Sequence, residues 1–275
     1  MKIANSLFAC AGAAAAMLAA GLFFAAPSPT ASAANPPVVA IATLVPGPVA
    51  GYGTIKGRLV YSGDAPALLK IDVKNQPFCQ DQTIVDRSVD VDPKTKGVAN
   101  AIVWLVAPKG KNPGAEKALV AKTPKVQIDN KNCAFVPRST AIFKGQSIEF
   151  TSSDPVGHNS HVTGFSNGVN VALAPKGKAA AKLASEKRPM SLKCDIHPWM
   201  QGYVLVSDHP FFAVTGPDGS FEIAGVPAGT QNVIVWQEKA GYVTEGAAKG
   251  KAVEVKADGT ADMGDITLDA AKIKK

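Results

Sequence analysis

The segment Cys194-Asp195-Ile196-His197-Pro198-Trp199-Met200 places a thiol, an imidazole and a thioether at spacing Cys-x2-His-x2-Met. Thiolate and thioether are soft donors that suit Cu(I), and imidazole suits Cu(II), so this mixed set serves both oxidation states of one copper ion. A trigonal site of that kind needs a second histidine from elsewhere in the chain. His158, in Asp154-Pro155-Val156-Gly157-His158-Asn159-Ser160-His161, is the best-placed candidate. The candidate ligands are therefore His158, Cys194 and His197, with Met200 as a weak axial donor. Zinc is the rival ion, held by Cys194, His197, His158 and His161. That reading leaves Met200 without a purpose, and structural zinc sites usually carry more thiolates. Copper is the better match.

Cysteine counting bears on the compartment. Cys10 lies in an Ala-rich apolar N-terminus, which leaves Cys79, Cys133 and Cys194. If Cys194 holds a metal, Cys79 and Cys133 are left to pair as a disulfide in an oxidising compartment. The alternative is two buried free thiols. Residues 1–34 read as a secretory signal peptide: a short positive start, an uncharged run, and the small-residue site Ala31-Ser32-Ala33. An uncleaved membrane anchor is the competing reading, and only that reading brings a membrane into play. Residues 35–52 are a Pro/Ala-rich linker. The expected location is periplasmic or secreted. The net charge of +7 is spread over scattered lysines with no aromatic-basic motif, which argues against nucleic acid as a partner.

The elements that must position the donors are short strands. Residues 54–61 (TIKGRLVY) form a strand candidate, and 101–107 (AIVWLVA) is an apolar run of the kind a buried strand needs. Between them lies an irregular region carrying Cys79. Residues 109–122 are polar and punctuated by Gly and Pro, a boundary rather than an element, and no amphipathic helix is expected after residue 34. From Pro124, alternating segments at 125–129, 145–151, 188–194 and 202–206 read as a Greek-key sandwich. After Asp208 a second strand-and-turn series begins, with turns at Pro217-Asp218-Gly219 and Asp258-Gly259.

The loop at Cys194, with its Cys-x2-His-Pro-aromatic-Met order, resembles the copper loop of amicyanin-type cupredoxins, and Asp154 to His161 is similar to that family's His-Asn-x-His segment. The resemblance covers about Thr123 to Val206. It implies one type 1 copper ion on His158, Cys194, His197 and Met200, with His161 not a ligand. The loop departs from the family pattern at Asp195, which stands where a hydroxyl residue is common. Arg138 stands where related secreted proteins often carry histidine. Phe211 to Trp236 resembles a carboxypeptidase regulatory-like, transthyretin-like module, so the chain looks like the secreted bacterial methylamine-utilisation type. The implied architecture is all-β: residues 53–122 as an N-terminal β segment, either the first strands of the smaller sandwich or an extension of the cupredoxin, 123–207 as the cupredoxin, and 208–270 as the smaller sandwich. If 54–61 opens the smaller sandwich, the cupredoxin is inserted into it.

The function expected from this donor set is one-electron transfer rather than enzymatic catalysis. Four histidines cannot build a second copper centre beside the first, and no haem, zinc-protease or hydrolase motif is present. Copper trafficking without fast electron transfer, or recognition by a β module with an incidental metal, are the alternatives. In the carrier reading His197 offers an exposed ring edge as the electron port, flanked by Pro198 and Trp199 as a docking patch. Asn159, with Asp195 beside it, ties the two ligand loops together. His209 is expected at a domain junction. Lys176, Lys178, Lys182, Lys187, Arg188 and Lys193 would steer an acidic redox protein if they share the loop's face.

Overall fold

The computed structural model describes residues 51–273; the signal segment, Cys10 and nearly all of the linker lie outside them. The described residues open with β1 (Tyr52–Tyr61), a single helical turn α1 (Pro77–Gln80), β2 (Ile102–Leu105) and helix α2 (Pro113–Lys122). Nine strands follow without interruption: β3 (Lys125–Lys131), β4 (Ala134–Val136), β5 (Ser139–Phe143), β6 (Ser147–Ser152), β7 (His158–Thr163), β8 (Gly168–Leu173), β9 (Lys178–Ala181), β10 (Met190–Lys193) and β11 (Gln201–Ser207). The chain ends with β12 (Phe212–Val214), β13 (Ser220–Pro227), β14 (Gly229–Gln237), β15 (Gly241–Tyr242), β16 (Lys251–Val255) and β17 (Thr260–Leu268). No helix among the described residues is long and apolar enough to cross a membrane.

β3 to β11 build a sandwich of two sheets, ordered β4-β3-β6-β9 and β5-β11-β10-β7-β8. Alternation turns Ile128, Ile148 and Phe150 of one sheet toward Val162, Leu192, Val204 and Val206 of the other, forming the sandwich core. The remaining strands form a second β module. In it β1 lies between β13 and β17, pairing Ile55 with Ile223 and Leu59 with Ile266. β2 lies between β12 and β14. Strands from before residue 106 thus pair with strands from after residue 211, so the first sandwich is inserted into the second module, the arrangement that follows when 54–61 opens that module.

β2 shows why its sequence is apolar without alternation. Val103 and Leu105 face the second module's own core, while Ile102 and Trp104 face Ala141 and Leu205 of the first sandwich. Burial on both faces removes the need for a polar side. The two modules therefore share packed surface, and His209 seals the crossing from one to the other. Its Nε2–H donates to Leu105 O at 2.9 Å, and its Nδ1 accepts from Phe211 N at 3.2 Å. Burial lowers the pKa of His209, consistent with a neutral ring.

Residues 109–122 differ from expectation, because α2 forms where a polar boundary was read. Asn112 caps it, accepting from Ala115 N at 3.0 Å, with Pro113 following at the start of the helix. The helix buries none of its residues, so the apolar periodicity that marks most helices is missing. Its cap is instead tied to the second module, where Asn112 Nδ2 donates to Gly225 O at 2.9 Å.

One turn depends on glycine. Gly219 has φ +81°, and a Cβ there would stand 2.1 Å from Leu59 O. The substitution Gly219→Ala is expected to cost well over about 1 kcal/mol, read as a fall in denaturation midpoint, because strain and backbone clash act together.

Candidate metal centre

The period of two along β7 decides between its histidines. His158 shares the inward face with Val162, whereas His161 lies on the other face and keeps 37% of its side-chain surface exposed. β10 pairs with β7 and opposes Lys193 to His161, so the inward series Met190, Leu192, Cys194 runs beside His158. The loop after Cys194 closes on itself: Met200 N donates to His197 O at 2.8 Å, and Cys194 N donates to Met200 O at 3.3 Å. This turn folds His197 inward beside His158.

The donor atoms converge. His158 Nδ1 lies 3.0 Å from His197 Nδ1, and Cys194 Sγ lies 3.7 Å from His197 Nδ1. His158, Cys194 and His197 are each 1% exposed, and their ligand atoms lie within 4.8 Å of one another. Met200 is also 1% exposed and belongs to the same apolar cluster as Cys194. His161 sits apart, with its Nδ1 on Asp195 Oδ1 at 3.1 Å.

Each ring has an outer partner. Asp154 Oδ2 stands 2.9 Å from His158 Nε2, and a carboxylate only accepts, so Nε2 carries the proton. Gln76 Oε1 stands 3.4 Å from His197 Nε2. Burial lowers the pKa of both histidines, opposed at His158 by Asp154 and reinforced at His197 by neighbouring His158. The His158 Nδ1 lone pair, His197 Nδ1 and the Cys194 sulfur thus meet in one buried space. Donors bonded at about 2.0–2.3 Å to a shared ion stand roughly 3–4 Å apart, which is the spacing here. The residues therefore fit a soft, thiophilic metal ion.

Asn159 links the two segments that carry His158 and Cys194. Its Oδ1 accepts from Asp195 N at 2.7 Å and from the Cys194 thiol at 3.3 Å, and its backbone N–H points at Cys194 Sγ from 3.5 Å. Asp195 completes the lattice by accepting from Asn159 Nδ2 at 2.7 Å and Asn170 Nδ2 at 2.9 Å. Those bonds, with His161 the largest contributor, hold the Asp195 carboxyl below the usual range.

One expectation fails. His197 does not present a ring edge to solvent: it is buried between Trp199, 5.2 Å away centre to centre, and Gln76. The cause is the region carrying Cys79, which packs Val73, Cys79 and Ile84 into the sandwich core. Pro198 is exposed, but Trp199 is half-buried and donates its indole N–H to Cys133 O at 3.2 Å. Cys79 and Cys133 form a disulfide. All six of the basic residues at 176, 178, 182, 187, 188 and 193 are exposed.

Two residues escaped the sequence reading. Asp154 lies four positions before His158 inside the quoted motif, where acidic character next to a candidate ligand was its only signal. Gln76 acts across 121 positions and had none.

No protein-family model matches the chain, and no curated protein sequence matches it. Among solved structures, an amicyanin variant in the Cu(I) state aligns with 30% of this chain and 82% of its own, at 14% identity and TM-score 0.28. A purple cupredoxin from Nitrosopumilus maritimus aligns with 30% of this chain and 99% of its own, at 22% identity and TM-score 0.27. A copper-containing nitrite reductase from Thermus scotoductus aligns with 30% of this chain but only 22% of its own, at 19% identity and TM-score 0.28.

Proposed function

We propose that this chain is a mononuclear copper protein that carries single electrons. The observation that carries the reading is the convergence of three buried donors, with His158 Nδ1 and His197 Nδ1 3.0 Å apart and Cys194 Sγ 3.7 Å from His197 Nδ1. In this reading His158, Cys194 and His197 hold the ion, and Met200 is the weak thioether donor. Copper, when bound, supplies a one-electron couple between Cu(I) and Cu(II). The chain's own part is to keep the donors rigid and dry. Asp154 and Gln76 hold the two rings from outside, Asn159 holds the cysteine loop, and a rigid donor set keeps reorganisation on electron transfer small.

Burial of all four candidate ligands supports a carrier over an enzyme, because substrate chemistry at a metal needs an open coordination position. Zinc is disfavoured by His161, which bonds to Asp195 on the opposite face of β7 and leaves a single thiolate with two imidazoles. The disulfide supports a periplasmic or secreted location in this reading, since such bonds persist in oxidising compartments. The partner in this reading is a redox protein, with an acidic face favoured by the exposed lysines. The second β module serves as the transthyretin-like scaffold into which the copper domain is set.

Adding Cu(II) to the purified chain is the test. An intense visible thiolate-to-copper absorption band, together with a reversible one-electron couple in voltammetry, is the expected result. A protein that stays colourless under oxidising conditions overturns the reading.

A further inference from the structure

Residues 70–85 belong to neither sheet of the first sandwich, yet they close over its metal centre. The segment is a loop whose base is pinched shut: Lys70 and Val85 form an isolated bridge, Ile71 N donates to Ile84 O at 2.9 Å, and Asp86 N donates to Leu69 O at 2.8 Å. Its tip carries α1, preceded by Gln76. Val73, Cys79 and Ile84 are its buried anchors, with Ile71 and Phe78 half-buried beside them.

The tip is fastened at a telling place. Cys79 is bonded to Cys133, and both are at most 1% exposed. Cys133 is in turn part of the frame of the centre. Its N–H donates to Asp154 Oδ2 at 2.9 Å, the same oxygen that holds His158, and its carbonyl takes the Trp199 indole. One covalent bond thus joins the loop that covers His197 to the turn that supports His158.

We propose that residues 70–85 are a fixed cover on the centre, in which Gln76 is a positioning residue for His197 and the Cys79–Cys133 bond is the latch. The cover holds His197 with Nδ1 turned inward and screens the rest of the ring from solvent, so an ion enters or leaves only when the loop lifts. The metal half of this inference rests on the copper reading; the covering of His197 does not.

Site-resolved modification of the metal-free full chain with diethyl pyrocarbonate separates the two. Half-exposed His161 is the reactive reference and buried His209 the protected one. With the disulfide intact, His197 is expected to react roughly tenfold or more slowly than His161, as for a group reached only by local opening. In Gln76→Ala, or after reduction with a phosphine, His197 approaches the rate of His161 while His209 stays protected. Gln76→Glu keeps an acceptor oxygen and keeps the protection.

The cover is overturned if His197 of the unmodified chain reacts as fast as His161, or if it stays protected in Gln76→Ala. Should reduction expose His209 as well, the chain has unfolded, and the Gln76→Ala arm decides. In the copper-loaded chain, Gln76→Ala is expected to pass Cu(I) to a chelator about 10–100-fold faster, the usual effect of removing a ligand's outer partner. An unchanged transfer rate overturns the metal half alone. Failure of the parent chain to take up copper overturns the copper reading and leaves the labelling result standing.

Discussion

The substitution Asp154→Asn is expected to weaken copper binding by about 10–100-fold, measured by competition with a chelator. Asp154 is 1% exposed and accepts three hydrogen bonds: from Asn132 N at 2.7 Å, Cys133 N at 2.9 Å and His158 Nε2 at 2.9 Å. A carboxylate can meet all three donors, whereas an amide has a single acceptor oxygen. If that oxygen stays on Asn132, the new amide N–H group faces His158 Nε2. The ring then escapes a donor–donor clash only by moving its proton to Nδ1, the atom aimed at the metal.

The same carboxylate also supports the backbone. Asn132 and Cys133, between paired Lys131 and Ala134, both have positive φ, at 52° and 55°. Two-residue hairpin loops demand that conformation, and Asn accepts it more readily than Cys does. Asp154→Ala leaves both loop N–H groups without this partner, at about 1–3 kcal/mol for each one that stays buried. We therefore expect both variants to lose stability and metal affinity, Asp154→Ala the more stability, because the Asn oxygen still serves Asn132 N–H and only Cys133 N–H loses its acceptor. Imidazole nitrogen NMR of the metal-free protein gives the decisive signal: His158 protonated at Nε2 in the parent and at Nδ1 in Asp154→Asn. Unchanged tautomers in the variant would show that Asp154 does not set the ring's proton.

The substitution Arg138→Met is expected to cost about 3–5 kcal/mol at neutral pH, because it strands a buried carboxylate. Arg138, just before β5 of the inserted sandwich, forks onto Glu238 at the end of β14, with Nη2 2.8 Å from Oε1 and 3.0 Å from Oε2. Their side chains are 19% and 8% exposed. Burial raises the Glu238 pKa against the opposing pull of Arg138, with Asp86 raising it further and Tyr203 lowering it through a hydrogen bond.

A carboxyl whose folded pKa lies above its unfolded value binds its proton more tightly in the folded state. Between those two values the native protein holds more protons than the unfolded chain, so stability falls as pH rises. Removing Arg138 deletes the main lowering influence and pushes the Glu238 pKa higher still. Part of the lost stability of Arg138→Met should therefore return on acidification through that range, as denaturation midpoints at several pH values would reveal. The double variant Arg138→Met/Glu238→Leu should lose less than Arg138→Met alone, because no charge is left stranded. A pH-independent loss, or simple additivity of the two substitutions, would rule out this account.

Short-range features carried much of the sequence reading, and for a physical reason. Alternation with period two marks a strand wherever one face is buried, and the unbroken run at 101–107 marked a strand buried on both, which β2 proves to be. Donor softness is a property of side chains alone, so Cys194, His197 and Met200 pointed to a soft-metal site before any fold was known. Helix α2 shows the limit of this reading. It buries nothing, so the signal that periodicity carries was never written into residues 113–122.

By itself, then, the sequence determined the all-β class, the donor types and the two segments that supply them, because these depend on neighbours within a few residues. Tertiary structure decided which histidine turns inward, since that follows from the pairing of β7 with β10. It also decided that Asp154 and Gln76 hold the rings from outside, and that His197 lies covered rather than open to a partner. Those outcomes depend on contacts across gaps as long as 121 residues, where no local pattern of charge or hydrophobicity records which side chain will arrive.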